Sequence, residues 1–489
     1  MVMFRSILVC VAATVLMSVP LVSQQRSYNV VIEGGRVMDP ETGLDAIRNV
    51  GINGGTIALI SREQLEGAHT INARGMVVAP GFIDLHSHGQ DDENYRFKAM
   101  DGVTMALELE IGVADVKSFL QQRMGKSRVH YGATASHPFT RVQVLGGNLV
   151  PGALVPQAGP STLDPASAQQ LERIGEMLIQ GIEEGALGIG MGITYTPGAT
   201  RLEVIEMFRL AALKRVPIYV HVRSKGQKEP GSIVESIQEL IAAAAVSGAS
   251  LHIVHMNSSS LQQAPECLKL VEGARARGLD VTTEAYPYIA GMTAINSASF
   301  NPGWRERSGV DYEDVQLVET GERLTRESFE VLHAMTDPKL VLIYQNTDEM
   351  VEYCVTHPLV AIASDGILNR GKGHPRGAGT YARILARYVR DQRRLSLMDA
   401  LRKMSLMPAQ RLEKASAAAR KKGRLQVGSD ADIVVFDPDT VQDMATYEVP
   451  DRYSRGIEHV LVAGTPVVRN GVLVDSALPG LPFVSDRRR

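Results

Sequence analysis

From about residue 79 to 415 the chain alternates short apolar runs with helical stretches, and this alternation restricts the fold more than any other feature. Candidate strands are "GFIDLHSH", "GVTMALELE", "VHYGATAS", "GALGIGMGI", "VPIYVHV", "SLHIVHM", "LDVTTEAYPY", "KLVLIY" and "PLVAIASDG". Helix patterns such as "ASAQQLERIGEMLIQGIEE" and "GSIVESIQELIAAAAVSGA" lie between several of them. Strands alternating with helices over this length predict a parallel sheet closed as a (β/α)8 TIM barrel, so one strand candidate is surplus, and "KLVLIY" is the one assigned that place. The rival open doubly wound sheet lacks a GxGxxG after any strand. Polar residues instead recur at strand C-terminal ends, which in a barrel form the catalytic face.

The flanks differ in texture. Residues 28–78 ("NVVIEGGRVMDPETG", "NVGINGGTIALIS") and 416–480 ("GRLQVGSDADIVVFDP", "IEHVLVAGTPVVRNGVLV") read as short alternating strands broken by Gly and Asn-Gly turns. Two such segments around a long middle predict one small β-sandwich assembled from both ends, with the barrel over 79–415. The first 25 residues, "MVMFRSILVCVAATVLMSVPLVSQQ", carry one Arg and then an apolar run from Ile7 to Val22, the layout of a signal peptide, with an uncleaved anchor as the alternative. The expectation is an exported, periplasmic or secreted protein with no stable membrane insertion after cleavage. Cys267 and Cys354 remain beyond that segment, too few for a disulfide framework. A net charge of -3 gives no electrostatic case for nucleic acid.

Strand ends carry the chemistry. In "VVAPGFIDLHSHGQ" the period of two puts His86 and His88 on one face, with Asp84 before them. "VPIYVHVRS" ends in His221 with Arg223 two residues on, "SLHIVHMN" in His255, and "PLVAIASDG" in Asp365. Singly, each has a dull reading as a buried histidine or an ordinary turn. Together, four imidazoles and a carboxylate make a site for one or two borderline divalent ions, zinc above others.

This ordered set, with "EGALGIGMGITYTPG", "DVTTEAYPY", "HPRGAGTYARILARYVR" and "ADIVVFDP", resembles the amidohydrolase superfamily, and within it the N-acyl-D-amino-acid deacylase (D-aminoacylase) group. The resemblance runs from about residue 28 to 475. It implies His86 and His88 as ligands of one metal position and His221 and His255 of another. Asp365 would bind metal or sit beside it, as base towards the attacking water and then acid to the leaving nitrogen. His137, in "ASHPFTR", is similar to a strand-three histidine that reaches the reacting carbonyl; its other reading is a loop residue before proline.

Two departures stand out. The resembled group places a cysteine after the second strand, where this chain has Glu108 and Glu110 on one face; an ungapped match puts the cysteine at Ile111. One carboxylate, Glu110 before Glu108, is expected to replace the thiolate, or else both support the ligands. The group also often carries a lysine two residues after the sixth-strand histidine, where this chain has Asn257. The substrate carboxylate would then fall to Arg376, with Arg223 and Tyr195, since a guanidinium meets a carboxylate bidentately; Arg223 is equally readable as a structural ion-pair partner. Residues 303–328 are long, charged and poorly periodic, as a lid or a plain surface insertion would be. The implied activity is hydrolysis of a C–N amide bond in a small molecule, an N-acyl amino acid or small peptide, with D-amino-acid derivatives as the implied class. A dipeptidase or cyclic-amide hydrolase is the enzymatic alternative, and a metal- or ligand-binding protein the other.

Overall fold

The computed structural model describes residues 27–147, 154–157, 159–335, 337 and 339–488; the expected signal peptide, 1–25, lies outside them. Eight parallel strands form the barrel: β1 (Phe82–Asp84), β2 (Val103–Val113), β3 (His130–Ser136), β4 (Ile189–Gly192), β5 (Ile218–His221), β6 (Leu251–Ile253), β7 (Val281–Ala285) and β8 (Val360–Ile362). Each pairs with its sequence neighbour. The ring closes between β8 and β1 just beyond their ends, where Asp365 N–H donates to His86 O (2.7 Å) and His88 N–H to Gly366 O (3.1 Å). Below that seam the buried Asp84 carboxylate accepts from Ser364 N–H (3.0 Å) and Ser364 Oγ (2.6 Å) and pairs with Lys98 Nζ (2.8 Å).

Local chemistry sets the helices between strands. Ile233–Ser247 starts at a capping box, in which Ser232 Oγ accepts from Glu235 N–H (3.1 Å) while Glu235 Oε2 accepts from Ser232 N–H (2.7 Å). It ends at Gly248, left-handed at φ 75°. Ile233, Ile237, Leu240 and Ala244 repeat at helical spacing and are buried against the strands.

The two ends of the chain meet in one nine-stranded sheet. Val77–Pro80, the last strand of the N-terminal segment, pairs parallel with Ser27–Asp39 and antiparallel with Ile433–Phe436 of the C-terminal segment. Alternation gives this sheet two apolar faces. Val78, Ile433, Val435 and Leu461 close its own core with Val30 and Ile52, whereas Val77, Ala79, Val434 and Phe436 pack on the barrel side.

"KLVLIY" stands outside the barrel, as Leu340–Tyr344. It is the middle strand of an antiparallel sheet with Ala290–Ala294 and Val315–Leu317, all within the segment between β7 and β8. That segment encloses its own cluster of Phe300, Trp304, Val315, Phe329 and Val341. Among the described residues no helix is long and apolar enough to cross a membrane.

Candidate metal centre

At the C-terminal end of the barrel, β1 and the turn after it deliver His86 and His88, whose Nε2 atoms lie 3.2 Å apart. Long β2 carries Glu108 and Glu110 two residues apart, both turned to the same place. Glu108 Oε2 stands 2.7 Å from His88 Nδ1, and Glu284 Oε1 of β7 stands 2.6 Å from His86 Nδ1. These carboxylates hold the tautomers with Nδ1–H, leaving both Nε2 lone pairs directed at the same space. Glu110 Oε2 lies 3.0 Å from His86 Nε2 and 3.1 Å from His88 Nε2; Asp365 Oδ1 lies 3.3 and 3.2 Å from them.

The other oxygen of Glu110 faces a second pair. Glu110 Oε1 is 3.2 Å from His255 Nε2 and 4.0 Å from His221 Nε2. His221 Nδ1 donates to Val222 O (3.0 Å), and His255 Nδ1 is 3.0 Å from Ser259 Oγ, so both again offer Nε2. One carboxylate therefore stands between two candidate ligand groups, His86–His88–Glu110–Asp365 and Glu110–His221–His255. Two ligands leave their strands with left-handed backbone, His255 at φ 31° and Asp365 at φ 52°. Non-glycine residues hold such angles at a cost of about 1–3 kcal/mol each, which is typical where a side chain has to be aimed.

The charge balance shows what this arrangement accepts. Glu108, Glu110, Glu284 and Asp365 gather around the imidazoles, while Arg376 Nη1 lies 2.8 Å from Asp365 Oδ2. Acceptors crowded so closely repel one another unless positive charge enters. Burial alone would lower the pKa of His86, but Asp365, Glu110 and Glu284 outweigh it and raise it to about 10, which measures how strongly the site draws positive charge. Burial would raise Glu110, yet the His86 charge and the bonds from His255, His86 and His88 hold it well below the usual carboxylate range. Burial would likewise raise Asp365, but Arg376 and His86 outweigh it and hold the carboxyl well below the usual carboxylate range. His221 is depressed by burial first, then by Lys225 and His255, so it is neutral and ready to ligate. An N/O donor set with this excess of negative charge fits one or two divalent ions of the zinc type.

A cavity of about 350 Å³ opens above the centre, lined by His88, Glu110, Tyr195, His221, His255 and Asp365 on the barrel side. Trp304, Phe300, Arg307 and Val310 line its roof, all from the segment between β7 and β8. Tyr195 stands edge-on to His221, centroids 5.1 Å apart. Arg376 reaches the cavity but is paired with Asp365 and stacked over Tyr286, 4.5 Å from its centroid. Arg223 also lines it, with its guanidinium taken up by Glu239 (Nη2–Oε1 2.8 Å) and Ala199 O (2.8 Å).

Two expected site residues are corrected. His137 does not reach the cavity: it is fully buried at the start of helix His137–Leu145, with Nε2 2.8 Å from Glu203, which Arg141 also holds. Asn257 does not line the cavity either: it is fully buried, its Nδ2 donates to Tyr286 O (3.0 Å), and its Oδ1 accepts from Tyr286 N–H (3.3 Å). Ile111, the ungapped cysteine position, packs with Tyr195, Val155 and Ala294 away from the ligand groups. Sequence reasoning missed Glu284, although it too is a polar residue near a strand end, and Lys225, which sits in a loop without a pattern.

The amidohydrolase family model matches residues 190–468. An N-acyl-D-glutamate deacylase of Alcaligenes xylosoxydans xylosoxydans is 30% identical over 474 residues, covering 91% of this chain and 94% of that protein. A D-aminoacylase of the same organism is 27% identical over 485 residues, covering 91% and 95%. Among solved structures, an N-acyl-D-glutamate deacylase from Bordetella bronchiseptica, complexed with zinc and a phosphonate inhibitor, superposes with a TM-score of 0.79 at 24% identity, covering 94% of this chain and 100% of that one.

Proposed function

Since the chain belongs to the amidohydrolase family, we propose that it is a zinc-dependent hydrolase that cleaves the amide C–N bond of N-acyl-D-amino acids. The observation that carries this reading is the carboxylate of Glu110, one oxygen facing His86 and His88 and the other facing His255 and His221. His86, His88, Glu110 and Asp365 would hold one ion, and Glu110, His221 and His255 a second, Glu110 being common to both groups. Zinc, when bound, supplies Lewis acidity that polarises the scissile carbonyl and acidifies the attacking water. Asp365 takes the water's proton on its carboxylate and returns it to the nitrogen as the C–N bond breaks, releasing a carboxylic acid and an amino acid. Arg376, paired to Asp365 Oδ2, keeps that group ionised and aimed between these steps. The roof excludes bulk water and presents Phe300 and Trp304 to the apolar part of the substrate. No observation favours the dipeptidase, cyclic-amide or binding-protein alternatives.

The test is hydrolysis of a panel of N-acyl-D- and N-acyl-L-amino acids by the zinc-loaded protein, following release of the free amine. Turnover of the D-series, abolished by Asp365→Asn, is expected; turnover of dipeptides or cyclic amides alone would replace the reading. The apolar run from Ile7 to Val22 supports export after removal of a signal peptide over 1–25. N-terminal sequencing of the protein from its native host should begin near Ser23, and a chain still starting at Met1 would refute this.

A further inference from the structure

We infer that Lys225 is the anchor for the substrate's α-carboxylate in this chain, an assignment that rests on the proposed deacylase reading. The other polar groups near the cavity are already engaged. Asn257, which follows His255 by two residues, spends both ends of its amide on the Tyr286 backbone. Arg223 is hydrogen-bonded to Glu239, and Arg376 is ion-paired with Asp365 and stacked over Tyr286, close against the centre. Arg307, on the roof, is exposed and donates to the carbonyls of Asn301 and Pro302. Lys225 lines the same cavity as His221, His255 and Asp365, and its ammonium forms no ion pair with any carboxylate of the described residues.

Its loop is built to hold it there. Ser224 N–H donates to Ser236 Oγ (3.0 Å), Gly226 N–H to Ser224 Oγ (3.2 Å) and Ile233 N–H to Gly226 O (2.8 Å), and Gln227 Nε2 donates to Lys225 O (3.0 Å). Gly226 passes so close to Gly231 that a Cβ would meet its carbonyl oxygen at 2.3 Å, which keeps the turn tight. An amine fixed by its backbone, half-buried and without an acid partner, loses part of its hydration, which a bound carboxylate restores. Burial lowers its pKa to about 8, against the pull of Asp365 and Glu110, and a carboxylate ligand would reverse that shift.

The test uses equilibrium binding, so that it does not depend on turnover. N-Methylsulfonyl-D-norleucine, which has no scissile carbonyl, is compared with its primary amide by calorimetry on the zinc-loaded full chain, Lys225→Met and Lys225→Arg. The parent and Lys225→Arg should prefer the acid by about 10- to 100-fold, and Lys225→Met should bind acid and amide alike. Zinc content measured in each variant shows that the centre is intact; a Lys225→Met that loses zinc is replaced by Lys225→Gln. An acid preference that survives loss of the ammonium, or is absent from the parent, overturns the assignment. Turnover of N-acyl-D-amino acids by the parent is measured beside it. If the parent hydrolyses them while acid preference ignores Lys225, the anchor alone is wrong; if it hydrolyses no N-acyl amino acid, the deacylase reading fails instead.

Discussion

Glu284 stands between two imidazoles, with Oε1 2.6 Å from His86 Nδ1 and Oε2 3.0 Å from His252 Nε2. It does not line the cavity, yet it fixes which nitrogen His86 presents. Glu284→Gln should therefore lower zinc affinity by about 10- to 100-fold while the fold persists, measured by competition with a chelator. Asp365→Asn removes the group that moves the proton and should lower kcat by about 10²–10⁴-fold; a loss smaller than tenfold would move that role elsewhere. At this scale the sequence revealed residues whose direction follows from strand period: His86, His88 and the pair Glu108 and Glu110 all turn to one face as alternation requires. His137 and Asn257 misled because a tertiary partner captures each side chain. Glu203 draws His137 inward and the Tyr286 backbone captures Asn257, and neither pairing has a local signature.

The segment between β7 and β8 behaves as an element of its own. Phe300 and Phe329 have centroids 5.3 Å apart, and Trp304 stacks on Phe329 at 5.2 Å, so one buried ring holds the roof together. Phe329→Ala should cost about 3–5 kcal/mol of local stability. The expected result is proteolytic nicking of the roof and a raised KM, with zinc content unchanged; loss of zinc would mean that the roof supports the centre directly. The barrel strands were legible because buried apolar runs alternate with helices. The roof was legible only in part: "KLVLIY" stood out as surplus to the barrel, but its partners Ala290–Ala294 and Val315–Leu317 are short and mixed in character. A buried run states that it is covered, not which sheet it joins.

For the whole molecule, closure of the barrel and construction of the centre are one event. The seam that joins β8 to β1 passes through His86, His88 and Asp365, and beneath it the Lys98–Asp84–Ser364 cluster is buried. Lys98→Met would leave the Asp84 charge unpaired in the core and should cost about 3–5 kcal/mol in urea unfolding. A loss under 1 kcal/mol would show that the backbone seam closes the barrel alone. The chain's division into barrel and end-built sheet was readable from texture, since turn-rich alternating strands flank a helix-rich middle. Which strand face meets the barrel was not, because both faces of Val77–Pro80 are apolar. The central claim is that Glu110 joins two histidine pairs into one zinc centre. Elemental analysis of the purified protein beside Glu110→Ala tests it most directly. About one to two equivalents of zinc in the parent, falling sharply in the variant, is the expected result; a parent that takes up no metal under any loading condition, or a metal content indifferent to Glu110, would contradict it.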